Sequence, residues 1–347
     1  MTLPPYPTGW YAFGLSSEVA PEAMVSRPFM GEDLVVYRTR SGVVRAVAPH
    51  CPHLGAHLGH GGRVDGELLV CPFHHFAYDD SGVCVRTGYG TKPPAKARLT
   101  QRPLRETNGL LLAWHGAQRP LWDVPELPHE GWTRLKCRRF VLRDHPQETT
   151  ENSVDLGHFA IVHGYRNVQM LRDAVADGPY LSTGFAAEQP LPLTRRTLRF
   201  EFETQIFGLG YSLVNVRVRQ FRVEARLWVL PTPIDEQRLT LSLVASVRGR
   251  TGRGVDDLLG SLVLRGFTRG ATRDFPIWEH KRYLARPALA LGDGPIGLYR
   301  RWAQQFYEPV AVDEPAHTGD VTRPESPALS MPKVGIEPTR PSRGTGF

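Results

Sequence analysis

Apolar and polar positions along the chain fall into three successive patterns. Through the first third, short β-rich runs are cut by turn pairs. DLVVYRTRSGVVRAVA is two such runs about a Ser-Gly turn, the pattern of a hairpin. VDGELLVCPF and LRETNGLLLAWH repeat it about Asp-Gly and Asn-Gly. These segments predict a small all-β domain over residues 1–118. LWDVPELPHEGW, rich in proline, reads as a connection. Beyond it WTRLKCRRFVLRD is strand-like, and ETTENSVDLGHFAIVHGY is helical in its first part. Long alternating stretches follow: LTRRTLRFEFETQIF, YSLVNVRVRQFRVEARLWVL and QRLTLSLVASVRG. VDDLLGSLVLRGFTRGATRDFPIWEHKRYL and GLYRRWAQQFYE then carry a helical period. An antiparallel sheet packed with long helices predicts an α+β domain over 119–310. From 311 to 347 proline, polar and charged residues dominate without apolar periodicity, which predicts a disordered tail.

With 347 residues, 41% hydrophobic and 22% charged, the composition is that of a soluble globular protein. No stretch approaches the roughly 18–20 apolar residues that cross a bilayer. The start, MTLPPYPTGWYAFG, lacks the basic and apolar regions of a signal peptide, so a cytoplasmic location is expected. The net charge of +7 is spread among apolar residues, as in RRTLRFEFE and VRVRQFRVEARLW. That is the solvated face of a strand and argues against nucleic acid as a partner. It suits docking of an acidic electron-transfer protein, or solubility alone. Four cysteines make no disulfide scaffold.

Candidate chemistry begins in CPHLGAHLGHGGRVDGELLVCPFHH, residues 51–75. Cys51 and His53 are followed, seventeen residues on, by Cys71 and His74. Structural zinc sites usually open with two cysteines from one tight turn. Here each loop supplies one thiolate and one imidazole. A Rieske [2Fe–2S] cluster explains that symmetry, with two thiolates on one iron and two imidazoles on the other. Zinc is the alternative. Pro52 and Pro72 stiffen the loops, and Gly55, Gly59, Gly61 and Gly62 let backbone amides approach cluster sulfurs. His50, His57, His60 and His75 do not sit at ligand spacing and read as surface residues or as supports for the ligands.

A second constellation lies in ENSVDLGHFAIVHGY. His158 and His163 are five residues apart, roughly 140° on a straight helix, so they converge only if the helix bulges or ends between them. Gly164 makes that easy. Asp155 shares the face of His158 and can hold the far nitrogen of a ligating imidazole. Two histidines and a carboxylate form the facial triad of non-haem Fe(II) oxygenases, which leaves positions for O2.

Together the two patterns resemble the oxygenase components of Rieske non-haem iron oxygenases, over nearly the whole chain except the tail. The family's Rieske motif matches Cys51, His53, Cys71 and His74. Its Asn-x2-Asp-x2-His-x4-His motif matches Asn152, Asp155, His158 and His163. The resemblance implies a third iron ligand in a long C-terminal helix, where RDFPIWEHKRY offers Asp274, with Glu279 as the fallback. It also implies that Asp155 bridges His74 of one subunit's cluster to His158 of the next subunit's iron, within a ring-shaped homotrimer. Relatives commonly carry tryptophan two positions after the second cluster histidine, where this chain has Phe76. The implied reaction is reductive activation of O2 at Fe(II), with hydroxylation or desaturation of a C–H bond. No G-x-G-x-x-G fingerprint follows a strand and no second cysteine set exists, so a separate NAD(P)H-dependent reductase, with or without a ferredoxin, must supply electrons. Within the family, DFPIWEHKRY and the His-x4-His segment are similar to the steroid 9α-hydroxylases and cholesterol 7-desaturases, which implies a bulky apolar, steroid-like substrate. Oxidation or demethylation of a small aromatic compound, or tailoring of a secondary metabolite, is the second reading. The non-enzyme readings are a Rieske electron carrier and a zinc-stabilised binding module.

Overall fold

Runs that are apolar without alternation prove to be strands buried on both faces. Two such strands, β1 (Gly9–Leu15) and β11 (Leu110–His115), pair antiparallel and are joined by β10 (Leu104–Thr107) in a three-stranded sheet. Trp10, Ala12, Leu110, Leu112 and Trp114 point to one side of it, and Tyr11, Phe13, Leu111 and Ala113 to the other. A computed structural model describes residues 3–190, 197–250 and 252–307. The tail expected at 311–347 lies outside them.

Between those strands the chain forms two four-stranded sheets. One has the order β2 (Ala23–Phe29), β3 (Glu32–Arg38), β4 (Val44–Val47), β9 (Gln101–Arg102). The other runs β5 (Arg63–Asp65), β6 (Leu68–Val70), β7 (Ala77–Tyr78), β8 (Cys84–Arg86). Val35, Tyr37, Val47, Leu69, Tyr78 and Leu99 form the core between them, and Cys51 and Cys71 belong to it.

The second half is built on a seven-stranded antiparallel sheet. Its strands are β12 (Lys136–Leu142), β13 (Arg166–Asp177), β14 (Tyr180–Pro190), β15 (Thr197–Phe207), β16 (Tyr211–Val218), β17 (Val223–Pro233) and β18 (Leu239–Val247). They run as a meander from β13 to β18, with β12 added beside β18. The period of two sorts this sheet cleanly. Tyr211, Leu213, Trp228, Leu230 and Val244 pack against the three-stranded sheet, while Val216, Leu227, Leu243, Ala245 and Val247 face the opposite way. The three-stranded sheet is thus a shared wall, and the described residues form one compact unit across the connection expected near 118.

Helices α1 (Pro146–Glu151) and α2 (Gly157–Ile161) lie between β12 and β13. After β18 come α3 (Arg253–Ala271), α4 (Phe275–Trp278) and α5 (Ile296–Ala303). Leu259, Val263, Leu264 and Phe267 of α3 cover the outer sheet face. Two expectations change here. Only α3 is long among the described helices, because the 3.6 period running through DFPIW is cut by Pro276, which has no N–H for the next helical bond. The stretch 211–230 is two strands and not one, folded back at a 3-10 turn over Arg219–Phe221 with Arg222 at φ +52°.

Candidate functional site: two ligand sets

Cys51 and His53 occupy the loop between β4 and β5, and Cys71 and His74 the loop between β6 and β7. Each loop is closed by its own backbone. The Cys51 N–H donates to Ala56 O at 2.9 Å, and the Cys71 N–H to Phe76 O at 2.9 Å. Both sulfurs are buried, whereas both imidazoles are only half-buried, with ring centroids 4.8 Å apart. Phe76, where relatives commonly carry tryptophan, stacks on the His53 ring at 4.2 Å and 6°. Tyr78 Oη lies 3.0 Å from Cys51 Sγ. Burial pushes the Cys71 thiol up, and the neighbouring Cys51 adds to this, while the amides of Phe73 and His74 pull the other way. His74 Nδ1 is buried without a hydrogen-bond partner. Thiols inside and imidazoles outside, each pair together, are a donor set suited to a two-iron cluster. No sequence signal marked Tyr78. His75 is exposed, at φ +55°.

The second set assembles at the end of α2. Val162 caps this helix, donating its N–H back to His158 O at 2.7 Å, and Gly164 at φ +73° turns the chain away. The helix therefore ends between the two histidines, and their rings come within 4.9 Å. Asp274 arrives from a segment 111 residues further on. It sits in the turn between α3 and α4 and not inside a long helix, because Pro276 ends the helical run before it. Its Oδ2 is 3.5 Å from His163 Nε2. One donor atom each from His158, His163 and Asp274 lies within 4.8 Å of the others, so the three could hold a metal ion. Glu279, the fallback, is exposed.

Electrostatics fit that use. Burial pushes the His163 imidazole down to about 4, helped by the charges of His158 and Arg273. Burial pushes the Asp274 carboxyl up to about 6, and Asp155 adds to this. His163 Nδ1 is buried with no hydrogen-bond partner. A neutral imidazole and a desolvated carboxyl held together are unfavourable alone and are relieved by a cation.

Asp155 behaves differently from the reading of its side chain. The far nitrogen of His158 is held by the Asp155 backbone, Nδ1 donating to Asp155 O at 2.7 Å, with the carboxylate 3.7 Å away. That fixes the tautomer and turns Nε2 outward. The carboxylate instead accepts the His158 N–H at 3.2 Å, at the start of α2. Burial would raise the Asp155 carboxyl, but His158 and the amides of His158 and Gly157 hold it below its ordinary value.

Two contributions were not legible in the sequence. Arg273 Nη1 donates to His163 O at 3.1 Å, clamping the segment of His158 and His163 to that of Asp274. An aromatic row also starts at the histidines: Phe159 meets Phe185 at 4.5 Å, Phe185 stacks on Phe202 at 4.7 Å, and Tyr165 meets Phe200 and Phe202. Phe200 and Phe202 lead beneath α3.

Known proteins match both halves. Residues 9–98 match the Rieske [2Fe–2S] domain, and residues 113–307 match the 3-ketosteroid 9α-hydroxylase C-terminal domain. A cholesterol 7-desaturase of Xenopus laevis is 29% identical over 88% of this chain and 73% of its own length. The oxygenase component of a 3-ketosteroid-9-alpha-monooxygenase of Mycolicibacterium smegmatis is 26% identical over 96% of this chain and 90% of its own. Among solved structures, dicamba monooxygenase bound to dicamba superposes with a TM-score of 0.71 at 20% identity, over 86% of this chain and 96% of that one, a likeness of fold.

Proposed function

We propose a function from the premise that this chain belongs to the Rieske oxygenases whose second half is the 3-ketosteroid 9α-hydroxylase C-terminal domain. It is an oxidoreductase of the Rieske non-haem iron class, and its cofactors are a Rieske-type [2Fe–2S] cluster and a mononuclear Fe(II). Cys51, His53, Cys71 and His74 hold the cluster, and His158, His163 and Asp274 hold the iron. When bound, the cluster supplies single electrons and the iron activates O2 for C–H oxidation.

The chain's own residues do the rest. The Asp155 carbonyl sets the proton of His158 on Nδ1, and Arg273 fixes the backbone of His163. The aromatic row from Phe159 to Phe202 excludes water beside the ligands and offers ring faces to an apolar substrate. This row supports a bulky, steroid-like substrate, hydroxylated or desaturated. Relatives named as acting on 3-ketosteroids and cholesterol support the same class. Asp155 is read as the bridge to the cluster histidine of a neighbouring subunit in a homotrimer. The division into cluster-bearing residues 1–118 and catalytic residues 119–310 follows the two ligand sets. Electrons come from a separate reductase or ferredoxin, in line with relatives named as oxygenase components. No helix among the described residues is long and apolar enough to cross a membrane, and a cytoplasmic location is proposed.

The convergence of His158, His163 and Asp274 carries the reading. Its test is iron stoichiometry together with O2 uptake in a reconstituted system of reductase, ferredoxin and NADH, against a steroid panel. His163→Ala and Asp274→Ala are expected to lower iron from about three to about two per chain with the cluster spectrum intact, and to abolish substrate-dependent uptake. Full iron in both variants would remove the triad.

A further inference from the structure

Histidines that the cluster does not use are gathered together. His57 and His60 share a turn in which the His60 N–H donates to His57 O at 3.2 Å, and their ring centroids are 4.5 Å apart. Asp33 reaches them from the start of β3, with Oδ2 3.2 Å from His57 Nε2. One donor atom of each of the three lies within 4.8 Å of the others. His50 stands edge-on to His57 at 5.3 Å.

We propose that Asp33, His57 and His60 form a second metal site, for a divalent cation of the zinc type, separate from both iron groups. Two imidazoles and a carboxylate are the donors that such an ion takes, and the partial exposure of the set lets water complete the coordination. The surroundings hold the donors in place. Asp33 stands on the tight hairpin between β2 and β3, opposite Pro28, and Ser26 Oγ donates to its Oδ2 at 3.3 Å, orienting the carboxylate. Gly59 lies between the two histidines, where a Cβ would fall 2.6 Å from Ser26 Cβ, so only glycine lets the turn seat this closely on β2. Without an ion, His57 Nδ1 accepts the Gly59 N–H at 3.1 Å, which puts the ring proton on Nε2 facing Asp33. A metal ion on Nε2 shifts the ring proton to Nδ1, so the Gly59 N–H loses this acceptor and, in a partly exposed turn, turns to water. The ion then pins the segment after Cys51 and His53 to the β2–β3 hairpin.

The site is tested on the holoenzyme, with cluster and mononuclear iron in place. The protein is equilibrated with zinc chloride, freed of excess, and analysed for zinc and iron in the same sample; calorimetric titration gives the affinity. One zinc per chain with iron unchanged is expected. His60→Ala and Asp33→Asn should each weaken binding by more than about tenfold, and excess magnesium, which prefers oxygen donors, should not compete. Wild-type protein that retains no zinc at full iron occupancy would overturn the site and leave an ion-free Asp33–His57 contact. Equal zinc binding by the variants would overturn it as well. Because iron is counted in the same samples, failure of the oxygenase reading would show separately, as missing mononuclear iron.

Discussion

Tyr78 illustrates what single residues contribute beyond the ligands. Its hydroxyl lies 3.0 Å from Cys51 Sγ in a buried setting. Burial and the Cys51 sulfur raise its pKa well above the ordinary value, so it stays protonated and donates. A hydrogen bond to a ligand sulfur favours the reduced, more negative cluster. With about 1 kcal/mol for such a bond, Tyr78→Phe should lower the cluster potential by roughly 40 mV, read by redox titration. An unchanged potential would show that the hydroxyl does not act on the sulfur. The grouping of Cys51, His53, Cys71 and His74, the proposed cluster ligands, was legible because each pair comes from one short loop, so sequence spacing is spatial spacing. His158 and His163 were legible for the same reason. Asp274 could be reached only through resemblance, since a contact across 111 residues leaves no local pattern. Tyr78, Arg273 and the Asp33–His57–His60 group were hidden for that reason too.

Among the elements, α1 is the least expected. PQETTE reads as a polar helix start, yet all six residues are buried. Its charges are met by partners from afar. Arg300 of α5 forks onto Glu151 at 2.6 and 2.9 Å, and Lys281 Nζ lies 2.8 Å from Glu148. Removing one member of a buried pair leaves the other charge uncompensated, so Arg300→Ala should cost about 3 kcal/mol in denaturant unfolding. Adding Glu151→Gln should recover part of that loss. At the start of α1, His145 Nδ1 accepts the Gln147 N–H while Nε2 lies 3.0 Å from Pro4 O, an arrangement that needs a neutral ring. Burial lowers its pKa to about 4. Between pH 6.5 and 4 the unfolded chain therefore takes up a proton that the folded chain refuses, and stability falls as pH falls. Asp144, raised by burial to about 6, works in the opposite sense over pH 6 to 3.8 and masks this. His145→Asn keeps a cap and should gain about 2 kcal/mol relative to wild type on going from pH 7 to 4.5, measured by urea unfolding. The hairpin of β13 and β14 went unread despite its Asp177-Gly178 turn. β13 is an edge strand exposed along most of its length, so no alternation is imposed on its residues. Three register shifts along it break up the edge that a further strand could otherwise extend.

At the scale of the whole molecule, the cluster loops end in exposed apolar groups, with Leu54 66%, Phe73 60% and Tyr89 59% exposed around the half-buried imidazoles. A homotrimer that sets these loops against the next subunit's Asp155 would cover them. Asp155→Asn should retain both metals and trimeric mass by light scattering, yet slow turnover by about tenfold or more. Normal turnover would remove the bridge. The two-part plan of an all-β half followed by a sheet with helices was legible from the change in apolar rhythm. The shared wall of β1, β10 and β11 was not, because burial on a second face depends on strands that arrive a hundred residues later. The same spacing has a consequence for how the protein is made. All four proposed cluster ligands have been translated by residue 74, whereas the iron triad waits for Asp274, two hundred residues later. At about 5–20 residues per second a ribosome needs roughly 10–40 s to cover that interval. A chain cut short in that interval would carry the proposed cluster ligands without the carboxylate that completes the proposed iron triad.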